Sequence, residues 1–300
     1  MNKLKAGITG FRMDGGPWDQ IETLAKIGYK TSENAAMQIA RMEGDLQENI
    51  ARYKDLGMEF YAVGVQKPFN PGIFRRGGKL EDMCTIRPGY LDMSFDYRTT
   101  DDKVIEDTIA AAEKFGVKLI SNYSGPALNS RFGLTQCEKD VWFEYLEASD
   151  KIAEKFEKAG LHYFYHNHSE EFSIFYDGLS MFDWLLARTS NLTIELDVGW
   201  ALFGGADPVE VLRRAHDRIV SLHIKDYVDG TVPDPGTPHF QMPRFSTVGT
   251  GKLDLEGILG LACELGYEYA IVEQDVLRNL NTVETLTASY LNMKETGFVE

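Results

Sequence analysis

Five times in this chain a charged, helix-forming segment passes through an apolar residue and a glycine straight into an apolar run. The segments are KIGYK at Gly28, DLGMEFYAV at Gly57, KFGVKLIS at Gly116, KAGLHYFYH at Gly160 and ELGYEYAIVE at Gly266. One physical reading covers all five. A helix is closed by glycine in the left-handed conformation, which costs a residue without Cβ little, and the chain steps directly into a strand. Repetition of that junction implies that helices alternate with strands, and hence a parallel sheet.

Hydrophobic periodicity fills the intervals. Strands are expected over 4–10, 29–34, 58–65, 117–122, 161–167, 192–197, 219–225 and 269–274. Helices are expected over 18–27, 44–56, 101–115, 136–159, 179–188, 207–217, 254–265 and 282–293. In the 136–159 helix, Val141, Tyr145, Ile152, Phe156 and Ala159 share one face, and Asp254 is the expected N-cap of Leu255, Ile258, Leu259, Ala262 and Leu265. Eight strand–helix units in 300 residues fit an α/β chain folded as a single closed (β/α)8 TIM barrel, one domain over 1–300. The competing doubly wound open sheet usually carries a glycine-rich phosphate loop after its first strand; here that turn reads GITGFRMDGGPW, without GxGxxG. Two connections are long, 66–100 after strand three and 226–252 after strand seven. Both leave the C-terminal ends of strands, where barrel enzymes build their sites, and their aromatic and proline content predicts ordered lids.

Composition narrows the partners. Lys and Arg total 31 against 46 Asp and Glu, a formal net charge of −15, which repels a nucleic-acid backbone. No apolar run approaches the roughly 20 residues that span a bilayer, so no membrane partner is expected. The N-terminal MNKLKAGITGF lacks the apolar core of a secretory signal, and Cys84, Cys137 and Cys263 show no CxxC spacing. Reduced thiols in a cytoplasm are the corresponding expectation.

Polar residues gather where the last four strands end. Strand five ends in YFYHNHSEEF (His166, His168, Glu170, Glu171), strand six in TIELDVGW (Glu195, Asp197), strand seven in SLHIKD (His223, Lys225, Asp226) and strand eight in AIVEQD (Glu273, Asp275). Strand alternation puts His166 with His168, Glu195 with Asp197, His223 with Lys225 and Glu273 with Asp275 on one face, and turns Val198, Ile224 and Val272 to the helices. Isolated buried carboxylates are very costly, so several together suggest a shared divalent cation. Imidazole with carboxylate suits Mn²⁺, Zn²⁺, Co²⁺ or Mg²⁺. Glu195, one pleat below Asp197, is expected to play a supporting part. Lys225 and Asp226 admit a second reading, a simple salt bridge. His216 is expected in solvent, and His239 in the second lid faces either substrate or solvent. Of the aromatics near strand ends, Phe11, Trp18, Phe69, Phe74, Tyr123, Trp200 and Phe203 are candidates for stacking on a sugar ring as well as for core packing.

With YHNHSEEF, IELDVGW, VSLHIKD, VGTGKLDLEGIL and AIVEQD in this order, the chain resembles the sugar phosphate isomerase/epimerase group of the xylose isomerase-like TIM barrel superfamily. The resemblance covers the C-terminal half strongly; the N-terminal half matches only through its strand–helix rhythm. It implies one divalent metal ion, often manganese, with Asp197, His223 and Glu273 as ligands by match. The strand-five ligand is a glutamate in many members; here His166 falls at that place with Glu171 a little further along, and both stay candidates. Many epimerases of the group move protons with a pair of glutamates. The histidine at strand five departs from that pair; Glu273 is the first candidate base, His166 the second, and Glu171 is a further catalytic candidate. Trp200 stands where some members carry a histidine, and it is grouped with His168 and Lys225 as expected substrate contacts.

The implied activity is isomerisation or epimerisation of a sugar, sugar phosphate or polyol by proton abstraction next to a carbonyl, through an enediolate. The alternative is a metal-dependent lyase or dehydratase acting on a keto-inositol or keto-glycoside. Phosphodiester cleavage, as in apurinic endonucleases of the same fold, needs more histidines and a basic groove. A non-catalytic sugar-binding protein would not need so concentrated a titratable cluster. Lys225, Arg244 and Arg278 are the cations considered for a substrate phosphate, without a phosphate-loop signature to support them. Barrels of this kind often pair, which makes a homo-oligomer a further expectation.

Overall fold

All five junction glycines take positive φ, from 70° at Gly116 to 124° at Gly28, and each closes a helix ahead of a strand. The computed structural model describes residues 2–11, 13–65, 102–122, 126, 137–233, 240–277 and 279–300. The connection 66–100, with Phe69, Phe74 and Cys84, lies outside the described residues, as do Tyr123, His239 and Arg278.

Twelve strands are described: β1 Lys5–Ile8, β2 Thr31–Ser32, β3 Ala62–Gly64, β4 Leu119–Asn122, β5 His162–His166, β6 Phe175–Tyr176, β7 Leu179–Ser180, β8 Thr193–Asp197, β9 Ile219–Ile224, β10 Asp226–Pro233, β11 Gln241–Ser246 and β12 Tyr269–Val272. Eight of them form one parallel sheet in the order β2-β1-β12-β9-β8-β5-β4-β3. Neighbours in that order are successive in the chain among these eight, and the first pairs with the last, with Lys5 opposite Tyr269. Between the end strands, the Glu59 N–H donates to the Lys30 carbonyl at 2.6 Å. This is the (β/α)8 barrel that the sequence predicts, with helices Pro17–Ile27, Leu46–Asp55, Asp102–Phe115, Lys139–Glu157, Met181–Arg188, Pro208–Ala215, Leu255–Leu265 and Thr282–Glu295 following the eight strands.

Side-chain alternation divides the barrel. Tyr165, Leu196, Leu222, Ile224 and Val272 face the helices in the main core. Inside, Tyr61, Phe164 and Ile271 pack with Leu119, Val220 and Tyr269 as a separate apolar plug. Above the plug, the inward positions become polar. Local signals also hold: the Asp254 carboxylate accepts the Gly257 N–H at 3.0 Å, and Ser180 caps the helix Met181–Arg188.

Several expectations need correction. The ladder strands are shorter than the apolar runs, most of all β2, which keeps two residues of the expected 29–34, and β3, which keeps three of 58–65. In the helix Lys139–Glu157, the buried face centres on Trp142, Tyr145, Leu146, Ile152 and Phe156. Val141 is only half-buried and Ala159 is exposed, since the helix has ended before it. Leu179 and Ser180 form a strand of the small β6–β7 hairpin rather than a helix start. The 226–252 connection is an antiparallel ribbon of β10 and β11, with residues 234–239 outside the described residues. Met242 and Phe245 of that ribbon pack on Trp200. Proline, glycine and a register shift interrupt its alternation, which hides the hairpin in the sequence.

The salt-bridge reading of Lys225 and Asp226 is also replaced. Asp226 turns away from the mouth and accepts four backbone N–H groups. Oδ1 takes those of Tyr227 at 2.8 Å and Leu253 at 3.1 Å, and Oδ2 those of Gly249 at 3.0 Å and Gly251 at 2.8 Å. A Cβ at Gly251 would stand 2.2 Å from Asp226 Oδ1, so the VGTGK turn needs glycine there. The described cysteines, Cys137 and Cys263, are buried. No helix among the described residues is long and apolar enough to cross a membrane.

Hydrogen bonds to a charged group are worth about 1.5–3 kcal/mol each and do not add fully. Asp226→Ala should therefore destabilise the chain by about 2–4 kcal/mol in urea unfolding. It should also speed amide exchange at 249–253; unchanged exchange there would show that Asp226 does not hold the turn.

Candidate metal centre

Four strands deliver one donor each to the mouth. His166 ends β5, Asp197 ends β8, His223 lies one residue from the end of β9, and Glu273 follows β12. One ligand atom from each lies within 4.8 Å of all the others. Ligands about 2.1 Å from a single ion stand about 3–4 Å apart, so side-chain rotation is enough to close that spread. Two imidazoles with two carboxylates suit a borderline divalent cation.

The backbone beneath these donors is fixed. The Asn167 side chain joins β5 to β8, accepting the Asp197 N–H at 2.9 Å and donating to its carbonyl at 3.2 Å. Asp197 Oδ1 accepts the Trp200 N–H at 2.7 Å and so caps the short helix Val198–Phe203. A Cβ at Gly199 in that helix would meet the Lys225 carbonyl oxygen at 2.3 Å, which shows how closely the helix is laid on the end of β9.

Glu195 is the hub below the donors and is fully buried. Its Oε1 accepts the Tyr61 hydroxyl at 2.6 Å. Its Oε2 lies 3.2 Å from His166 Nδ1 and 3.0 Å from His223 Nε2. His223 Nδ1 meets Glu273 Oε2 at 2.9 Å, and Glu33 Oε2 lies 3.5 Å from Nε2. Burial opposes a charge on His223, but Glu195, Glu273 and Glu33 together hold its pKa well above the usual imidazole range. Burial raises the Glu195 carboxyl, yet His223 and His166 outweigh it and bring the pKa down to about 2. Glu33 moves the other way, since burial and the neighbouring Glu195 favour its protonated form. Glu273 is held well below the usual carboxylate range by Lys225 and His223, against its burial. A nitrogen that lost its proton from either histidine would present a lone pair, while the other nitrogen stayed pinned to a carboxylate.

Lys225 crosses above this layer. Its ammonium contacts Asp275 Oδ2 at 2.7 Å, Glu273 Oε2 at 3.0 Å and Asp197 Oδ2 at 3.2 Å. Among the described residues, Asp197 Oδ2, His223 Nε2 and Lys225 Nζ have no hydrogen bond of good direction despite these short contacts. Charges that touch without directed hydrogen bonds fit a centre whose donors are arranged for an ion, so the residues present fit a divalent cation.

The other expected site residues are dispersed. The His168 ring lies 4.9 Å from that of His166 and 5.8 Å from that of Trp200, at the rim. Trp200 is fully buried and forms the wall behind Lys225 rather than an open stacking surface. Glu171 is not brought into the donor cluster. Its carboxylate accepts the Tyr165 hydroxyl and, at 2.8 Å, the His168 N–H, and Tyr165 belongs to the helix-facing core. Arg244 is exposed on the ribbon with its side chain over Gly230, and His216 is exposed as expected. Phe11, Trp18 and Phe203 are partly buried beside the core clusters. Glu33 is the residue that sequence analysis missed. Its signal is a lone acid near the end of the second expected strand, outside the polar cluster of the last four strands.

Residues 21–283 match the xylose isomerase-like TIM barrel family. Solved structures of the same fold include a sugar phosphate isomerase/epimerase from Parabacteroides distasonis, at 20% identity and a TM-score of 0.65, which covers 100% of this chain and 96% of that one. The probable 3-DHS dehydratase of Bacillus anthracis matches at 15% identity and a TM-score of 0.65, over 97% of this chain and 99% of its own. The 3-keto-D-glucoside 4-epimerase of E. coli matches at 13% identity and a TM-score of 0.63, over 98% of this chain and 100% of its own. No curated protein matches the sequence significantly.

Burial and the adjacent Glu170 push the Glu171 carboxyl up to about 7, although the Tyr165 hydroxyl and His168 N–H favour its ionised form. The folded chain thus keeps this proton longer than the unfolded chain. The resulting stability is fully present below the ordinary carboxylate range, about pH 4, and is lost as pH rises through about 7. Glu171→Gln, neutral throughout, should flatten that decline in thermal melts between about pH 4 and about pH 8. An unchanged slope would contradict the assignment.

Proposed function

Because this chain belongs to the xylose isomerase-like TIM barrel family, we propose that it is a divalent-metal-dependent isomerase or epimerase of a small sugar or polyol. The observation that carries the reading is the convergence of His166, Asp197, His223 and Glu273 from four strands into one 4.8 Å cluster at the barrel mouth. In this reading these four residues hold the ion, with manganese the first assignment and zinc, cobalt and magnesium the competitors. The ion would supply Lewis-acid polarisation of a substrate carbonyl and its neighbouring hydroxyl.

The chain's own groups have distinct duties in this proposal. Glu273 and His166 stand on strands three places apart in the sheet order and so approach a bound substrate from different sides. One removes the proton next to the carbonyl and the other returns it, either to the opposite face or to the adjacent carbon. Glu195 keeps both imidazoles oriented through Oε2. Lys225 presents positive charge beside the place where an enediolate oxygen would develop. Glu171, a catalytic candidate from the sequence, is assigned here to holding the His168 backbone. The 3-keto-D-glucoside epimerase among the structural neighbours supports the substrate class only as an analogy of fold.

Incubation with a panel of ketoses, keto-inositols and 3-keto-glycosides in deuterated water, followed by NMR, tests the activity. Deuterium should appear on the substrate carbon, and Glu273→Gln should slow its appearance by about 100-fold or more. Release of water or an aglycone without deuterium wash-in would move the chain to the lyases. Asp197→Ala and His223→Ala should each strip most of the bound metal in elemental analysis; full occupancy in either variant would reject the centre.

A further inference from the structure

Lys225 is an unusual neighbour for a cation site. Its ammonium is only 1% exposed and touches two of the four cluster donors, Asp197 at 3.2 Å and Glu273 at 3.0 Å. Its third and shortest contact, 2.7 Å, is to Asp275, which does not belong to the donor cluster. The rings of Trp200 and Phe245 pack against it, with centroids 5.0 and 5.4 Å from Nζ. Among the described residues, three carboxylates thus gather around one buried ammonium.

From this arrangement we infer that Lys225 is the internal counter-cation of the proposed metal centre: it holds Asp197 and Glu273 together in the metal-free chain and competes with the incoming ion, and so sets the affinity for divalent cations. The inference rests on the metal reading of the cluster. Its physics is Coulombic. Two carboxylates brought together in a poorly solvated mouth repel each other, and an ammonium between them removes most of that repulsion. A divalent ion arriving at the same carboxylates meets a positive charge a few ångströms away. It must either draw Asp197 and Glu273 off the ammonium or share them with it, and each course weakens binding. Asp275 gives the design its second position. When Asp197 and Glu273 turn to the ion, the ammonium keeps one carboxylate of its own, and the Trp200 and Phe245 rings restrict how far it can withdraw. Phe245 belongs to the β10–β11 ribbon, so the ribbon is part of the device that fixes this charge.

The test uses the full chain, freed of metal by chelation and titrated with Mn²⁺ and Zn²⁺ by calorimetry, with thermal melts in parallel. Lys225→Met keeps the length of the side chain and removes its charge. The metal-free variant should melt below the wild type, bind each ion on the order of tenfold more tightly and gain more in Tm from the ion. Lys225→Arg, which keeps the charge, should bind within about threefold of the wild type. Affinity in Lys225→Met equal to or below the wild type would overturn the inference. Should that variant fail to fold without metal, the Nζ resonance of Lys225 in ¹⁵N-lysine-labelled wild type decides. It should move on addition of Zn²⁺, and a resonance that stays in place counts against the competition. Absence of ion binding in wild type and Lys225→Met alike would sink the metal reading itself, whereas binding of equal strength in both sinks only the role of Lys225.

Discussion

The mouth of this barrel is governed by the difficulty of burying like charges together. Among the described residues, Glu33, Glu195, Asp197, Glu273 and Asp275 converge there against the Lys225 ammonium and the imidazoles of His166 and His223. A lone carboxylate removed from water faces a penalty of several kcal/mol, so each of these acids must be protonated, paired or offered a cation. The structure uses all three solutions. Glu33 is pushed toward its neutral form by burial and Glu195, and Asp275 is paired with Lys225. Glu195 is kept ionised by two histidines, and Asp197 and Glu273 share Lys225. The metal proposal extends the same accounting, since an added divalent charge is what such a set of acids lacks.

The rest of the fold makes this concentration tolerable. Below the charged layer, the plug of Tyr61, Phe164 and Ile271 fills the barrel with apolar volume. The Tyr61 hydroxyl, at the upper edge of that plug, donates to Glu195, so the transition from apolar to ionic occurs within a single side chain. On the outer face of the same strands, Tyr165, Leu196, Ile224 and Val272 anchor the helices. Each strand therefore carries stability on one side and chemistry on the other, and one residue of register separates the two.

Adjacent residues can take unrelated duties for the same reason. Lys225 faces the mouth, while Asp226 faces the turn at 249–253 and organises it through four N–H groups. The ribbon that Asp226 anchors brings Phe245 against Lys225. A side chain placed at the start of an excursion thus helps to hold a charge located one residue before it, through a path of about twenty residues that leaves the barrel and returns.

Much of this was legible in the sequence because it is local. The five glycine junctions follow from the conformation of one residue each, and the inward placement of His166, Asp197, His223 and Glu273 follows from period-two alternation. What the sequence could not express is which groups meet across long separations. Glu33 joins His223 from 190 residues away. Lys225 pairs with Asp197, Glu273 and Asp275 rather than with its neighbour Asp226, and Glu171 turns to Tyr165 at the back of the strand. The proline- and glycine-broken β10–β11 ribbon also escaped the pattern. Glycine caps and alternation act within a few residues and so determined the barrel and the direction of its candidate ligands. Charge compensation depends on distances that exist only once the strands are side by side, and so the partners of each charge were decided by the tertiary structure alone.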